Sequence, residues 1–146
     1  METFYRTILR NWFWMEQLQI FLLLAVRFNY SLIEKITDPL LGNCADEGTV
    51  FSLTSLNVTS NDDFRSFLKF NYLSDVPDQN VSDVLELYPD NRRDGSPFNT
   101  SVFNAITSQY KRSAAFQGDV VFQAPRRFFV QQRSASQNVW SYRASL

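Results

Sequence analysis

Two adjacent carboxylates, Asp46 and Glu47, stand in the stretch GNCADEGTVF and are followed at once by Gly48. A carboxylate that is held inside a fold can orient a general base, because it accepts a hydrogen bond from an imidazole and stabilises the imidazolium that forms during catalysis. The simpler interpretation is a solvated turn, since acids and glycine are frequent in turns. Taken by itself, the stretch favours the solvated turn.

The rest of the composition excludes several kinds of chemistry within these 146 residues. The sequence has no histidine and one cysteine, Cys44, so a Cys/His zinc site and an internal disulfide are both excluded. The four glycines form no phosphate-binding loop, and no G-x-S-x-G nucleophile elbow occurs. A Ser-His-acid relay therefore cannot be assembled from this chain alone. We expect Cys44 to be a small buried filler rather than a nucleophile, because no histidine can activate it.

The charge balance points away from nucleic acids. The formal net charge is −1, and the basic doublets Arg92-Arg93 and Arg126-Arg127 are isolated, which favours a solvated role. Aromatic residues make up 16% of the chain, with fourteen phenylalanines. That content predicts a large core or a part of one.

Two strands are expected to position the acid pair. A short buried strand is predicted near Leu40, directly before the acids, with Pro39 at its start where a missing N–H is tolerated. The stretch NVWSYRA, at 138–144, is dense in β-branched and aromatic residues and predicts a second strand. Its two apolar faces predict parallel neighbours with helices over both faces. Since the chain offers at most one other strand, we expect an incomplete domain.

Helices are expected between these strands. Ser60 is predicted to cap the first, with Asp62 and Asp63 in its opening turn. After the turn SDVPDQN, apolar residues of VSDVLELY repeat at i, i+3, i+4 and i+7, which predicts a second amphipathic helix. The stretch PDNRRDGSPFNTS is rich in turn formers and predicts a loop.

The pattern from 101 to 133 is again typical of helices. Gly118 is expected to separate two of them, and Asp119 to cap the second or pair with Arg126 or Arg127. Pro125 should kink the second helix or begin a new one, because it lacks a backbone donor. One face of the first helix is predicted to start with Phe103, Ile106 and Tyr110.

Residues 1–37 differ from the rest and are expected to be helical or poorly ordered. The apolar run Ile20–Val26 is far shorter than the roughly 20 residues that span a bilayer. Residues 12–28 could instead form a membrane-associated or secretory segment, with a basic start but no small-x-small cleavage site. A third interpretation is a mis-assembled N-terminus unrelated to the fold.

Four N-x-[ST] triplets begin at Asn29, Asn57, Asn80 and Asn99. Such triplets accept glycans only on exposed segments of chains that follow the secretory route. The sequence therefore leaves two interpretations open: a glycoprotein, or accidental triplets in a chain that never enters that route.

From Asp38 to Ala144 the sequence resembles the later part of the type-B carboxylesterases, in particular their fungal lipase-like branch. The acid motif of that family, G-[ND]-x-x-[DN]-E-G-[TS]-x-F, stands here as GNCADEGTVF, and it is followed in order by SLNVTSNDDF, YPD, GSPFNT and QYKRSAAFQGDVVFQAPRRFF. The resemblance implies an α/β class: an incomplete α/β-hydrolase fragment, mostly helical with two or so short strands. It implies a non-homologous segment at 1–37 and a partial carboxylesterase domain at 38–146.

The resemblance also implies a role for the acid pair. The catalytic acid of the family falls on Glu47, at the carboxyl end of a strand, where Gly48 lets the backbone turn closely. Asp46 is expected to support the loop through bonds from its side chain to the backbone. The family needs no metal and no organic cofactor. Its nucleophilic serine and catalytic histidine fall outside this stretch, so we expect the isolated chain to be inactive on esters.

The sequence thus predicts a fragment of a serine carboxylic ester hydrolase, derived from a secreted parent enzyme acting on carboxylic esters or lipids. A non-catalytic binding or interaction protein is one alternative, and its partner would include a complementing fragment that carries Ser and His. A membrane-associated protein held by residues 12–28 is another.

Overall fold

The computed structural model describes residues 38–145. About half of these residues are helical, and two short strands run parallel, which agrees with the α/β class expected from the sequence. In chain order the elements are strand β1 (Leu40–Cys44), helix α1 (Gly48–Phe51) with a 3₁₀ turn (Ser52–Ser55), helices α2 (Asn61–Asn71), α3 (Asp78–Leu87) and α4 (Tyr110–Gly118), a π-helical turn (Asp119–Gln123), helix α5 (Ala124–Arg133) and strand β2 (Trp140–Ala144).

The sheet joins the two ends of the described chain. Strands β1 and β2 pair in parallel, with Leu40 opposite Trp140 and Cys44 opposite Ala144. The parallel pairing expected from the sequence is therefore confirmed. The expected burial is wrong, because the side chain of Leu40 is 67% exposed and that of Trp140 is 52% exposed. Within residues 38–145 the sheet has only two strands, so these side chains have few neighbours to pack against.

Helix α2 begins as predicted. The hydroxyl of Ser60 accepts a hydrogen bond from the Asp63 N–H (3.1 Å), and the Asp63 carboxylate accepts one from the Ser60 N–H (3.0 Å). This reciprocal pair satisfies two backbone donors that a helix start leaves free. The helix then buries Phe64 and Leu68 completely.

Helix α3 begins earlier than predicted, so the last three residues of the expected turn, 78–80, are helical. Pro77 supplies a fixed φ of −54° directly before the helix. The carboxylate of Asp78 then lies in the first turn, where the helix dipole favours a negative charge.

The segment 101–109 is not helical, although its apolar spacing predicts a helix. Ser101 and Asn104 have φ values of 50° and 65°, in the left-handed region that interrupts a right-handed helix. Phe103 and Ile106 are consequently exposed rather than packed. The predicted loop is therefore longer than expected and extends from Pro89 to Gln109.

Gly118 does not separate two helices. Helix α4 continues through it into the π-helical turn and then into α5. Asp119 therefore lies inside one continuous helical segment, and its predicted role as a cap at a helix start is wrong. Pro125 lies in the first turn of α5, as predicted. The π-helical turn ends just before it, and Pro125 has no backbone N–H to donate to the preceding turn.

The core is built around helix α4, all nine residues of which are buried. The ring of Phe116 meets three other aromatic rings edge-on, at centroid distances of 6.2 Å to Phe64, 5.2 Å to Tyr72 and 5.5 Å to Tyr88. Edge-on contacts of this kind stabilise a core beyond simple burial. Helices α2, α3 and α4 are thereby locked together around one cluster.

The predictions for residues 12–28 and for Asn29 lie outside the described residues. In the part that is described, no helix combines the length and the apolar content needed to cross a bilayer.

Candidate active-site acid

Glu47 lies just beyond the carboxyl end of strand β1, three residues after Cys44. The carboxyl end of the parallel strand β2 lies at the same edge of the sheet, because Cys44 is opposite Ala144. This edge is where ligands bind in open α/β sheets. The side chain of Glu47 is half-buried there rather than fully solvated.

One oxygen of the Glu47 carboxylate is fixed by the backbone. Oε1 accepts a hydrogen bond of 2.8 Å from the N–H of Cys44. Among residues 38–145 no other group donates to this carboxylate, which leaves Oε2 free to accept. A carboxylate held through one oxygen can orient an imidazole with the other, which is the chemistry required of a triad acid.

Asp46 anchors the same turn from the other side. Its Oδ1 accepts a hydrogen bond of 2.9 Å from the N–H of Phe98 and one of 2.7 Å from the hydroxyl of Ser96. The carbonyl of Asp46 accepts from the hydroxyl of Thr49 (2.8 Å). The supporting role expected for Asp46 is therefore confirmed, and the loop after α3 is its partner.

Gly48 brings helix α1 against helix α4. A Cβ at this position would lie 1.9 Å from the carbonyl oxygen of Ala114 and 2.6 Å from the backbone nitrogen of Gly118. Only glycine permits so close an approach of two backbones. The sequence predicts a tight turn beside the acid, and the structure adds this helix contact.

Two further hydrogen bonds attach the turn that carries Asp46 and Glu47 to the core. The hydroxyl of Tyr110 donates to the carbonyl of Thr49 (2.9 Å), and the side-chain amide of Gln123 donates to the carbonyl of Cys44 (2.9 Å). Both donors belong to the helical segment that starts with α4. The position of the acid is thus set by the buried helix as well as by the strand.

Cys44 is exposed, so its predicted role as a buried filler is wrong. It is the last residue of β1, in a sheet that has two strands within the described chain and leaves alternate side chains open to solvent. The thiol therefore makes no contribution to the core.

Arg112 is a structural centre that the sequence analysis did not single out. Its guanidinium lies 4.3 Å from the centroid of the Phe64 ring, and it donates to the carbonyls of Tyr88 (2.5 Å) and Leu85 (3.2 Å). It also donates to the side chain of Asn61 (2.9 Å). Burial lowers the pKa of Arg112, and the charge of Asp90 opposes that shift. The available signal was an arginine in the run YKRSAAF with no acid within four positions.

Asp119, in the π-helical turn, is a half-buried acid whose environment shifts its pKa. Burial raises the pKa of its carboxyl, while the hydrogen bond from the Tyr88 hydroxyl (2.9 Å) and the charges of Arg143 and Arg127 act in the opposite direction. Of the two arginines expected as partners, Arg127 contributes this attraction, and Arg126 instead donates to the side chain of Gln123 (2.9 Å). An open cleft of about 240 Å³ lies beside Asp119, lined also by Leu87, Tyr88, Asp94, Phe98 and Arg112.

Metal binding has no obvious site in this region. Within residues 38–145 no three side chains of the His, Cys, Asp or Glu type come together as metal ligands.

Comparison with known proteins identifies relatives that match 62–73% of this chain. The sequence is 44% identical over 91 residues to Lipase 4 of Diutina rugosa, which covers 62% of this chain and 16% of that lipase. It is 38% identical over 104 residues to Lipase 1 of Geotrichum candidum, covering 71% of this chain and 18% of the lipase. It is 36% identical over 112 residues to the secreted triacylglycerol lipase LIP1 of Gibberella zeae, covering 73% and 19%.

The matched region is the C-terminal part of those lipases, and the chain spans less than a fifth of the length of each of the three. No protein-family model matches the sequence. The similarity to fungal lipases expected from the sequence is confirmed.

Proposed function

We propose that the described residues, which are similar to the C-terminal part of fungal lipases, are a portion of an α/β-hydrolase fold and that Glu47 is the acid of a Ser-His-acid relay. The observation that carries the proposal is the position of Glu47 at the carboxyl edge of two parallel strands, with Oε1 held by Cys44.

Glu47 acts on a histidine that comes from outside these 146 residues, since the sequence contains none. Its free oxygen accepts the imidazole Nδ1–H, selects the tautomer that can take a proton from serine, and stabilises the imidazolium. The nucleophilic serine is likewise supplied from outside the described residues. The substrate class is a carboxylic ester, and a relative named as a triacylglycerol lipase supports a lipid ester. Relatives named as secreted support a secretory route for the parent protein.

A chimeric lipase tests the role of Glu47. The 91-residue segment of Lipase 4 from Diutina rugosa that matches this chain is replaced by the corresponding residues of this chain. We expect the chimera to hydrolyse a short p-nitrophenyl ester and Glu47→Gln to lower kcat by about 10⁴-fold, as removal of a triad acid does in other serine hydrolases. The matched control is Glu86→Gln, because Glu86 is exposed on α3 and should leave kcat unchanged.

Two results would reject the proposal. One is a folded chimera whose activity survives Glu47→Gln. The other is a chimera with the near-ultraviolet circular dichroism of the parent lipase but no hydrolysis.

The purified 146-residue chain should show no ester turnover through this relay, because loss of nucleophile and base costs on the order of 10⁶ in kcat. Hydrolysis of the same ester by the purified chain, abolished by Glu47→Gln, would contradict this expectation.

A second candidate function is binding without catalysis. The observation that favours it is the exposure of Leu40, Trp140 and Tyr142 on the two strands, at 67%, 52% and 54%. Such a surface fits a complementing lipase fragment that carries Ser and His and adds strands to the sheet. The chain should then bind a fungal lipase that lacks the matched segment, and its Glu47→Gln variant should bind equally well; hydrolysis restored by the unmodified chain alone would show complementation through Glu47. Membrane association through residues 12–28 stays a prediction.

A further inference from the structure

Gln123 is a buried glutamine at the end of the π-helical turn, close to the strand that carries the acid pair. It is 5% exposed, whereas the other residues of that turn are half-buried or exposed. A buried amide needs hydrogen-bond partners, because an unsatisfied polar group costs free energy. The partners of this amide therefore indicate its role.

The orientation of the Gln123 amide is fixed by an arginine. Nη2 of Arg126 donates to Oε1 of Gln123 (2.9 Å), and a guanidinium has no acceptor atom. The oxygen of the amide therefore faces Arg126, and the nitrogen faces away from it. Nη1 of Arg126 also donates to the hydroxyl of Ser141 on β2. Helix α5 and strand β2 thus hold the side chain of Gln123 in one orientation.

The nitrogen of this amide reaches the end of strand β1. Nε2 donates to the carbonyl of Cys44 (2.9 Å). The N–H of the same peptide unit, that of Ala45, donates to the carbonyl of Ala144 on β2 (2.7 Å). Because a trans peptide unit is planar, with its C=O and N–H on opposite sides, these two partners fix its rotation. Without Gln123, the bond to Ala144 alone would hold this peptide unit.

The peptide unit held by Gln123 begins the turn that carries Glu47. Only Ala45 and Asp46 separate Cys44 from Glu47 in the sequence. The N–H of Cys44 donates to Oε1 of Glu47 (2.8 Å), so Cys44 binds the carboxylate through one backbone group and Gln123 through the other. A rotation of the peptide after Cys44 would change the direction in which Oε2 of Glu47 points.

We propose that Gln123 is a positioning residue for ester hydrolysis, which acts through Cys44 to direct the carboxylate of Glu47 toward the histidine supplied from outside these residues. This role depends on the function proposed for Glu47. A misplacement of about 1 Å can cost about 100-fold in rate, so loss of the Gln123 bond should lower kcat. KM should change little, because the buried amide acts on the acid and not on the ester.

The test uses a chimera in which residues 38–145 of this chain replace the corresponding C-terminal part of Lipase 1 from Geotrichum candidum. We expect Gln123→Met to lower kcat for a short p-nitrophenyl ester by about 10- to 100-fold, because the thioether is of similar length but donates no hydrogen bond. Gln123→Glu should give a similar loss. It keeps an oxygen for Arg126 and removes only the donor to Cys44.

Gln117 provides the matched control, because it is also a buried glutamine with two side-chain hydrogen bonds. It is 4% exposed, its Nε2 donates to the hydroxyl of Ser52 (2.9 Å), and its Oε1 accepts from the hydroxyl of Tyr72 (3.3 Å). Gln117→Met should therefore lower the Tm about as much as Gln123→Met. It should leave kcat unchanged when the active sites are counted by titration with a phosphonate ester.

A double-mutant cycle with Glu47→Gln separates positioning from a general loss of structure. If Gln123 acts through Glu47, Gln123→Met should change kcat by less than about 2-fold in the Glu47→Gln background. A further loss in the double variant as large as in the single variant would overturn the positioning role. An equal loss of kcat in Gln117→Met would do the same, and so would a failure of both Gln123 variants to fold.

The same measurements distinguish a failure of this role from a failure of the proposed function. Activity that survives Glu47→Gln rejects the function proposed for Glu47. A normal kcat in Gln123→Met or Gln123→Glu, beside an impaired Glu47→Gln, rejects only the positioning role of Gln123.

Discussion

The carboxylate of Asp46 accepts a 2.7 Å hydrogen bond from the hydroxyl of Ser96, a residue fifty positions further along the chain. The same oxygen accepts from the N–H of Phe98. One acid of the pair thus fastens the long loop to the end of β1, while its neighbour Glu47 keeps one oxygen uncommitted. The two adjacent carboxylates therefore have different hydrogen-bond partners, Asp46 in the distant loop and Glu47 at the end of β1.

Replacing Asp46 should destabilise the protein. Asp46→Ala removes two hydrogen bonds to a charged acceptor and leaves the Phe98 N–H without its partner, which should cost about 1.5–3 kcal/mol in the free energy of unfolding. Urea unfolding of the purified chain measures the cost. Asp83→Ala is the control, because within residues 38–145 Asp83 accepts only a 3.3 Å bond from Gln79, and its loss should shift stability by about 0.5 kcal/mol or less. Equal losses of stability for Asp46→Ala and Asp83→Ala would contradict the anchoring role of Asp46.

Two glycines provide a matched test of backbone packing. Gly48→Ala should cost about 1–3 kcal/mol, because its Cβ meets the backbone of Ala114 and Gly118, which cannot move without separating α1 from α4. Gly42→Ala should cost less, although its Cβ would lie 2.0 Å from the Tyr142 ring, since that exposed ring can rotate away. Thermal unfolding of both variants gives the comparison, and a larger loss for Gly42→Ala would contradict it.

Even a conservative replacement of Arg112 should lower the stability of the protein. Arg112→Lys keeps the charge but cannot reach the carbonyls of Tyr88 and Leu85 together with Asn61, and it loses the flat contact with Phe64. Buried acceptors left without donors should lower stability by about 2–4 kcal/mol. Arg92→Lys, on an exposed residue, should be neutral in the same denaturant titration. A neutral Arg112→Lys would show that the guanidinium hydrogen bonds are dispensable.

Two aspartates should impose opposite pH dependences on stability. Burial raises the pKa of Asp119 above 3.8, so between 3.8 and that raised pKa the folded state binds more protons than the unfolded state. The unfolding free energy therefore falls as pH rises through this window. Asp119→Asn, which keeps an oxygen to accept from Tyr88, should abolish that fall.

The pKa of Asp63 is lowered below 3.8. The largest cause is the hydrogen bond from the backbone N–H of Thr59, followed by the side chain of Ser60. The stabilisation from Asp63 is therefore present above pH 3.8 and is lost as the pH falls through the lowered pKa. Asp63→Asn should flatten that acid limb. Urea titrations at a series of pH values distinguish the two variants, and slopes of the same sign for both would refute the assignments.

Local signals predicted the parts of the fold that depend on neighbouring residues. The cap at Ser60 and the strands on either side of the helices follow from side-chain chemistry within a few positions. The position of Asp46 and Glu47 directly after strand β1 was likewise predicted from the neighbouring residues. The function of Asp46 as an anchor was predicted, but its partners Ser96 and Phe98 were not, since they come from a loop distant in sequence.

The failures share a tertiary cause. Phe103 and Ile106 have helical spacing, yet Ser101 and Asn104 adopt left-handed conformations in a loop whose Ser101 carbonyl accepts from Lys111. Gly118 lies inside the helical segment and packs closely on Gly48, where a Cβ would lie 3.2 Å from the Gly48 nitrogen, so this glycine marks a close contact and not a helix break. The role of Arg112 could not be predicted from its neighbours in sequence, because the carbonyls that it binds come from residues 24 and 27 positions away.

The outer edges of the β1–β2 pair carry backbone N–H and C=O groups that no strand within residues 38–145 meets. Unpaired strand edges of this kind can pair with strands of other chains, which leads to aggregation. The yield of dispersed protein should therefore drop steeply at high concentration, and short charged additions along β1 should be a better remedy for inclusion bodies than any change to the helices.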